Sequence, residues 1–371
     1  MQDRVSLYPG RVKLEPVAGQ ANTYDLTRAD QPTQEGTPLN KASLLTDGVC
    51  EILGLDHSAT PNDAFLAICL PSGKYAVSVT VKSTGGRPIP NVTLSGLLTA
   101  AGNPVVTGTD GVGFGFATTS PVTVAADISS FLDLTGTASV TLTPTAGVVN
   151  KAEITCTRAP SAQTTLSSSK NVRFSPDVSE YDFSAIGGGF NGSQGSGEKI
   201  NNTEAAVGGN GGNAGGVINQ AGITYDGSAI SVIVGGIGGN SGVNGVLTGA
   251  GATGGIGARM VNETPSLNRK ASAGGNTTGF LYPPTEVGGA GGGGLARILS
   301  SGYHIESASG GTPGGGAGAE WVNKPGSDGS LPGSGGGGGA ATSRTVTGGG
   351  DLTSGGAGKP GLVGFVWRYQ S

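Results

Sequence analysis

Glycine is concentrated in the second half of this chain, and that concentration limits what the half can fold into. Of the 73 glycines among 371 residues, 57 lie in the last 185. Glycine loses more backbone freedom on folding than any other residue, and a chain close to one-third glycine is by default disordered or of low complexity. Collagen is excluded, because the clusters at 291–294 and 335–339 break the Gly-X-Y triplet.

One ordered solution exists for such a sequence, in which glycine segments pack side by side as left-handed polyproline II helices. This helix has three residues per turn, rises about 3.1 Å per residue and has no internal hydrogen bonds. Without Cβ atoms, neighbouring helices approach closely enough to pair their N–H and C=O groups, which must be paired when buried. Flexible Gly/Ser linkers have little apolar content. Here apolar residues edge the clusters, and these are Val207, Val217, Val232, Val234, Ile237, Ile256, Val287, Leu295 and Val363.

We therefore predict a polyglycine II bundle over residues 174–371. About ten glycine-rich runs lie near 187–197, 207–216, 234–245, 249–258, 273–279, 287–294, 309–318, 333–341, 347–350 and 354–364. Residues 181–186 and 362–369 alternate as strands do, and they bracket the runs. Two bracketing strands predict a closed domain.

The loops between the runs hold the residue types that recognise other molecules. Runs packed antiparallel would send alternate loops to opposite ends, so that one end would be a tip. Aromatic side chains and arginine dominate recognition surfaces. The candidate receptor-binding residues are Arg259, Arg269, Phe280, Tyr282, Arg297, Tyr303, His304 and Trp321. The alternative for each aromatic residue is burial as a cap on the bundle.

The glycine half resembles the glycine-rich domains of bacteriophage tail fibres and their adhesins. The similarity lies in the glycine runs separated by variable loops, in the entry at 185–189 (AIGGG) and in the closing segment at 358–369 (GKPGLVGFVWRY). In the adhesins of T-even-type phages, a sandwich of polyglycine II helices presents distal loops to a bacterial surface receptor. The resemblance, which covers about 185 residues, implies the same role here.

Residues 1–70 form a small, polar first region. Short strands are predicted on both sides of Pro9-Gly10, and a helix is predicted to start at Thr37-Pro38. The segments 8–14 (YPGRVKL), 22–30 (NTYDLTRAD) and 35–41 (EGTPLNK) resemble the amino-terminal part of tail-fibre proteins from phages and prophages. This resemblance implies attachment to tail or baseplate proteins. The region is too small for a large core, so we expect it to fold on a partner or as an oligomer.

Residues 71–158 are predicted to form an antiparallel β-sandwich that serves as a spacer or interaction domain. Apolar and polar residues alternate at 75–81, 112–116, 122–124 and 140–142, with turn residues between them. Residues 159–173 are rich in Ser and Thr and are predicted to be a linker.

Charge and targeting signals exclude several classes of protein. The formal net charge is −4 with 12% charged residues, which provides no basic patch for nucleic acid. No signal peptide and no run of about 20 apolar residues is present, so we expect synthesis in a bacterial cytoplasm and no membrane insertion. The three cysteines, Cys50, Cys69 and Cys156, are expected to be buried thiols without disulfides.

No motif predicts catalysis, a cofactor or a metal. The G-x-G-x-x-G match at 249–254 is expected by chance among so many glycines and has no helix after it. Two histidines, His57 and His304, cannot build a multi-histidine metal site. Glycoside hydrolysis needs two facing carboxyl groups. The glycine half has nine acidic residues, including Glu306 and Glu320, and nothing in the sequence pairs any two of them.

The sequence thus predicts a mainly β and irregular protein with a helix-containing attachment region, a β-sandwich and a polyglycine II bundle with loops. The expected function is that of a non-enzymatic tail-fibre protein of a virion, a homotrimer that binds a bacterial surface protein or glycan. A purely structural fibre and a polysaccharide depolymerase are the alternatives.

Overall fold

The computed structural model describes residues 5–6, 12–20, 22–28, 32–34, 45, 47–53, 56–61, 64, 73–200, 203–249, 251–262, 265–298, 301–343 and 351–370. The fold is mainly β and irregular, as the sequence predicts, and it divides into two compact units. The first comprises Met1–Val81, Pro90–Ala126 and Ser139–Ile154, and the second comprises Lys82–Ile89, Asp127–Ala138 and Thr155–Ser371.

The amino-terminal part of the first unit contains short elements. They are β1 (Val5–Ser6), β2 (Val12–Pro16), β3 (Tyr24–Arg28), β4 (Pro32–Gln34) and helix α1 (Asp47–Leu53). The strands predicted around Pro9-Gly10 are present as β1 and β2, but β1 pairs with β4, and β2 forms an antiparallel hairpin with β3. The predicted helix start at Thr37-Pro38 lies outside the described residues.

An antiparallel sheet covers the region predicted as a β-sandwich. Its strands are β5 (Tyr75–Ser83), β6 (Thr93–Leu98), β7 (Pro104–Val106), β8 (Val112–Ala117), β9 (Val122–Asp127), β10 (Leu134–Thr135), β11 (Ala138–Leu142) and β12 (Asn150–Arg158). In the first unit, hydrogen bonds join them in one path, β12-β5-β8-β6-β9-β11, with β7 beside β6. These strands therefore belong to one hydrogen-bonded sheet.

Glycine in β8 leaves room for side chains of β6 and β7. A Cβ on Gly113 would lie 2.5 Å from Cδ1 of Leu94, and a Cβ on Gly115 would lie 2.4 Å from Cγ2 of Val105. Only glycine therefore lets the buried side chains of β6 and β7 lie against β8. Buried residues alternate along β5, where Val77, Val79 and Val81 are inside.

The second unit contains the remaining strands. They are β13 (Gln163–Leu166), β14 (Lys170–Val172), β15 (Val178–Ile186), β16 (Ser196–Ile200), β17 (Thr203–Val207), β18 (Val217–Thr224), β19 (Ile230–Ile233), β20 (Gly242–Val243), β21 (Val246–Leu247), β22 (Arg259–Val261), β23 (Ala296–Arg297), β24 (His304–Ile305), β25 (Ala341–Thr342) and β26 (Leu362–Tyr369), with a 3-10 turn at Pro265–Leu267. Residues 159–173 are not the predicted linker, because β13 pairs with β26 and β14 pairs with β19.

The two predicted bracketing strands pair with each other and close the second unit. β15 and β26 run antiparallel from Val178 opposite Tyr369 to Ile186 opposite Leu362, in a sheet of order β13-β26-β15-β18. An apolar core lies against this sheet, and five of its twelve buried residues are aromatic, namely Phe174, Tyr181, Phe183, Phe365 and Trp367. The glycine runs have few large apolar residues, and this core supplies large buried side chains to the second unit.

Ten glycine runs form a bundle within the described part of the second unit. We number them in chain order as run 1 (187–195), run 2 (208–216), run 3 (251–258), run 4 (272–277), run 5 (287–295), run 6 (308–313), run 7 (314–319), run 8 (326–330), run 9 (333–340) and run 10 (353–361). The predicted run at 234–245 is instead a β hairpin, formed by β19 and β20, and the one at 347–350 lies outside the described residues.

Hydrogen-bond partners repeat every three residues along a run. In run 9, the N–H groups of Gly335 and Gly338 donate to carbonyls of run 5. Those of Gly336 and Gly339 donate to run 1, and that of Gly337 donates to run 8. Residues three apart thus bond to the same neighbouring run, and no partner lies within the run itself. This is the pattern of the polyproline II helix, which has three residues per turn and no internal hydrogen bonds.

Runs 5 and 9 lie at the centre of the bundle. Run 9 donates to runs 1, 5 and 8 and accepts from runs 2, 7 and 10, while run 5 donates to runs 2, 4, 6 and 7 and accepts from runs 3, 6 and 9. Each therefore has six neighbours among the described residues. A Cβ on Gly337 would lie 1.8 Å from the carbonyl oxygen of Ala317, so the centre of the bundle requires glycine.

The runs alternate in direction along the chain. Gly335 and Gly338 of run 9 donate to Gly289 and Gly292 of run 5, respectively. Because the residue numbers of donor and acceptor increase together, the two runs are parallel. The same comparison makes all odd-numbered runs parallel to one another and all even-numbered runs antiparallel to them. Links that follow odd runs therefore emerge at one end of the bundle, and links that follow even runs emerge at the other.

Two of the three cysteines are described, and both are buried free thiols. Cys50 lies in α1 and Cys156 lies in β12, while Cys69 is outside the described residues. Burial raises the pKa of the Cys156 thiol to about 11.

Candidate functional site

One end of the bundle carries the links that follow runs 1, 3, 5, 7 and 9. We call it the loop end, and its described residues are 196–200, 203–207, 259–262, 265–271, 296–298, 301–307, 320–325, 341–343 and 351–352. The opposite end, which we call the strand end, carries β15, β26 and the links that follow the even runs. Six of the eight predicted site residues lie at the loop end.

Two small sheets hold the loop end in a fixed shape. One has the order β16-β17-β22, and the other has the order β24-β23-β25. Beneath them lies a core of Ala206, Ala258, Ala296, Ile298 and Ala341. Four of these five residues are alanines. The chain segments are still as close together here as the glycine helices from which they emerge, so most positions have no room for a larger side chain. The loops are thus anchored on packed residues.

Arg297 and His304 are placed side by side by this arrangement. They are direct partners across the antiparallel pair β23–β24. Opposite residues on one face of such a pair have Cβ atoms about 4.5–5.5 Å apart. His304 is exposed and Arg297 is half-buried. The guanidinium of Arg297 and the imidazole of His304 therefore lie on the same face of this strand pair.

Trp321 is presented on a short turn after run 7. The N–H of Lys324 donates to the carbonyl oxygen of Trp321 at 3.1 Å, which closes the turn. The next residue, Val322, packs against the buried Leu295 and Ala319. The packing of Val322 thereby holds the turn against the bundle, while Trp321 remains 61% exposed. The indole of Trp321 is therefore available to a ligand on a turn of fixed shape.

A cleft of about 480 Å³ brings these residues together, and we call it the tryptophan cleft. Its lining comprises Leu295, Arg297, Gly302, His304, Glu306, Ser307, Glu320, Trp321 and Val322. Two carboxylates, a guanidinium, an imidazole and an indole face one space. The Nε atom of Arg297 is buried and has no hydrogen-bond partner among the described residues.

A second cleft of about 630 Å³ adjoins the first, and we call it the arginine cleft. It is lined by Asn268, Arg269, Lys270, Ala271, His304, Ile305, Glu306 and Ser307. Three lining residues, His304, Glu306 and Ser307, belong to both clefts. Strand β24 and the two residues after it therefore form the wall between them.

The backbone fixes Arg269 beside Arg259. These two residues exchange N–H to C=O hydrogen bonds in both directions, each of 2.8 Å. Nη2 of Arg269 also donates to the carbonyl oxygen of Gly257 at 3.1 Å. Arg259 is half-buried, with no partner for its Nε among the described residues, whereas Arg269 and Lys270 are exposed. Arg269 and Lys270 can therefore meet a ligand directly.

Tyr303 stands beside the tryptophan cleft on the link between β23 and β24. Its carbonyl oxygen accepts from the N–H of Ile298 at 3.0 Å, which secures the base of the link. Its side chain is 70% exposed, the most exposed large hydrophobic or aromatic side chain of the described residues. Tyr303 and Trp321 are thus two aromatic contacts at one end.

Phe280 and Tyr282 do not belong to this surface. Both follow run 4 and lie at the strand end. Phe280 is 4% exposed and packs against Ile186, Val287 and Leu362, so it is a core residue. The N–H of Tyr282 donates to Oγ of Ser184 in β15 at 2.8 Å. Phe280 and Tyr282 therefore do not share a binding tip with Trp321, contrary to the prediction from the sequence. The link that carries them follows an even run, whereas the link that carries Trp321 follows an odd one.

Sequence reasoning missed five polar residues that line the two clefts. They are Asn268, Lys270, Glu306, Ser307 and Glu320. Glu306 and Glu320 follow different runs, and they line one cleft because runs 5 and 7 are parallel neighbours. In an extended strand, residues two positions apart point to the same face. The spacing between His304 and Glu306 could therefore have indicated that Glu306 shares the surface of His304.

Among the described residues, no group of three or more His, Cys, Asp or Glu side chains is arranged to hold a metal ion. The described helices include none long and apolar enough to cross a membrane. No protein-family model matches the chain, and no curated protein matches it significantly.

Proposed function

We propose that this chain is a tail-fibre protein of a bacteriophage or phage-like particle and that the loop end binds a bacterial surface receptor. The observation that carries the proposal is the alternation of the ten runs, which gathers five links at one end. These links bring Tyr303, Trp321, Arg297 and Arg269 to one exposed surface. Exposed aromatic residues and arginine are the residue types that dominate binding energy at interfaces.

The bundle supports this role because it preorganises the loops. Each loop is attached to glycine helices that are hydrogen-bonded to their neighbours, and several are pinned by small sheets. Loops that are already ordered lose less entropy on binding. A particle with many copies would turn weak single contacts into strong attachment by avidity.

The amino-terminal hairpin supports an attachment role for residues 1–70. The register of β2 and β3 places Val12, Leu14, Pro16 and Tyr24 on one face. Val12, Leu14 and Tyr24 are 47%, 58% and 55% exposed. An isolated two-stranded hairpin is marginally stable, so an apolar face of this kind needs cover. A tail or baseplate protein, or further copies of the chain in a homotrimer, would provide it.

A depolymerase is the second candidate, because Glu306 and Glu320 line one cleft beside Trp321. Glycoside hydrolysis uses two such carboxyl groups, one of which is kept protonated by apolar surroundings. Both glutamates are exposed. We therefore propose binding without hydrolysis. Release of reducing ends from host polysaccharide by wild type, and its loss in E306Q and E320Q, would establish the enzyme instead.

Binding of the full chain to cells that the particle infects tests the proposal. The fluorescent chain is expected to bind saturably, and the double variant Y303A/W321A is expected to lose that binding. L281A is the matched control, since Leu281 is 49% exposed at the strand end. A folded wild-type chain that does not bind such cells would leave the glycine half as a structural spacer and refute receptor binding.

A further inference from the structure

We infer that the two clefts of the loop end form one site for an anionic glycan. A sugar ring lies on Trp321, and a phosphate or carboxylate substituent lies against Arg269 and Lys270. The inference rests on the proposed function, since it names the class of receptor for that same surface.

The tryptophan cleft has the chemistry of a site for a neutral sugar ring. The exposed indole of Trp321 offers a flat apolar surface to the C–H face of a pyranose. Around it, Glu306 and Glu320 are acceptors for sugar hydroxyl groups, while Arg297 is a donor.

The arginine cleft has the chemistry of a site for an anion. Arg269 and Lys270 are both exposed, and Glu306 is the only carboxylate among the described residues that line the cleft. The planar guanidinium of Arg269 matches phosphate and carboxylate oxygens in a bidentate way. One bond of this guanidinium, from Nη2 to the Gly257 carbonyl, already fixes its position. An acidic substituent is therefore favoured over a neutral one.

The shared wall makes the two clefts neighbouring parts of one ligand site. His304, Glu306 and Ser307 line both, so a ligand in one cleft is in contact with residues of the other. Their volumes of about 480 and 630 Å³ are each within the range of about 300–1,000 Å³ for small-molecule pockets. A chain of sugars with an acidic group would fill both, whereas a single neutral sugar would leave Arg269 and Lys270 without an anionic partner.

Calorimetric titration of the full chain tests this assignment. The probes are hyaluronan hexasaccharide, which carries carboxylates, phosphomannan pentasaccharide, which carries a phosphate, neutral chitohexaose, and acidic polysaccharide purified from the envelope of host cells. We expect binding of the host polysaccharide and of one of the two defined charged probes, and at least tenfold weaker binding of chitohexaose. The defined probe that binds identifies the acidic group.

Three variants separate the two clefts. W321A is expected to weaken binding of every ligand at least tenfold. The double variant R269A/K270A is expected to weaken the charged ligands to the level of chitohexaose and to abolish the dependence of their binding on salt. K170A is the matched control, since Lys170 is an exposed lysine on β14 outside the loop end. Equal binding of charged and neutral probes, no binding of any charged probe at millimolar concentration, or an unaffected R269A/K270A variant would overturn the inference.

Treated cells distinguish a failure of this inference from a failure of the proposed function. If periodate oxidation of surface glycans leaves cell binding intact while protease treatment abolishes it, the receptor is a protein, so that the proposed function stands and the glycan inference fails. If untreated cells are not bound, the proposed function fails, and the titrations still decide whether the clefts bind an anionic glycan.

Discussion

The α-carbon of Gly291 faces the carbonyl oxygen of Gly336 so closely that a Cβ on Gly291 would lie 1.9 Å from that oxygen. Gly294, three residues further along, meets run 9 in the same way, since a Cβ there would lie 2.1 Å from the carbonyl oxygen of Gly339. The contact is between two backbones, and neither can yield by turning a side chain. The bundle therefore depends on glycine at its centre for reasons of space.

Alanine at a central glycine should prevent the bundle from packing. We expect G291A and G338A each to lower the free energy of unfolding by about 3 kcal/mol or more, since overpacking of this kind forces backbone shifts. G236A is the control, because a Cβ there meets nothing within 4 Å. Urea denaturation followed by circular dichroism measures the difference, and equal midpoints for G291A and G236A would contradict the packing.

Phe280 and Trp321 should respond to truncation in opposite ways. F280A is expected to cost about 3–5 kcal/mol of stability because it empties a buried site, while its folded fraction should bind cells as wild type does. W321A is expected to change stability by less than about 0.5 kcal/mol and to weaken cell binding more than tenfold. Thermal unfolding and cell-binding titrations of both variants test this, and the reverse pattern would move the binding surface to the strand end.

Cys156 should make stability depend on pH in the alkaline range. Burial raises the pKa of its thiol from 9.0 to about 11. As pH rises from about 9 to 11, the unfolded chain loses a thiol proton that the folded chain keeps, so the free energy of unfolding falls. Below pH 9 both states keep the proton, and the group has no effect. Urea midpoints at pH 8 and 10.5 should fall more in wild type than in C156A, and an identical fall would refute this role.

Arg368 should matter more for stability than its exposure suggests. Its Nη2 donates to Oδ2 of Asp182 at 2.6 Å, and Asp182, which lies on β15, is buried. R368A leaves that carboxylate without its cation, which we expect to cost about 3 kcal/mol. E180A removes only the more exposed partner of Arg368 and should cost less than about 1 kcal/mol. Equal unfolding midpoints for the two variants would contradict the assignment.

The sequence predicts the bundle and its two bracketing strands because their signals are local. Glycine clusters, strand alternation at 362–369 and the absence of a triplet are each visible without knowing any contact. Run 8 escaped prediction because it has no glycine cluster. Its Gly326 and Gly329 are buried, and the two residues between them are exposed. At the edge of the bundle, one glycine per three-residue turn is sufficient, so this spacing is the signal that was available.

The sequence does not assign each loop to an end, because that depends on the number of runs before it. Residues 309–318 were predicted as one run, whereas a turn near Pro313 divides them into runs 6 and 7. The predicted tip therefore mixed Phe280 and Tyr282 with Trp321. Residue type alone identifies the exposed aromatic residues and arginines, but the placing of Glu306 and Glu320 in one cleft depends on the parallel directions of two runs.

Photo-crosslinking to host cells tests most directly whether the loop end contacts the receptor. A benzoylphenylalanine is placed in the full chain at Asn323, which is exposed in the Trp321 loop outside both clefts, or at Leu281 at the strand end. We expect the probe at Asn323 to form a covalent adduct with a host surface component and the probe at Leu281 to form none. An adduct from Leu281 alone would contradict recognition by the loop end.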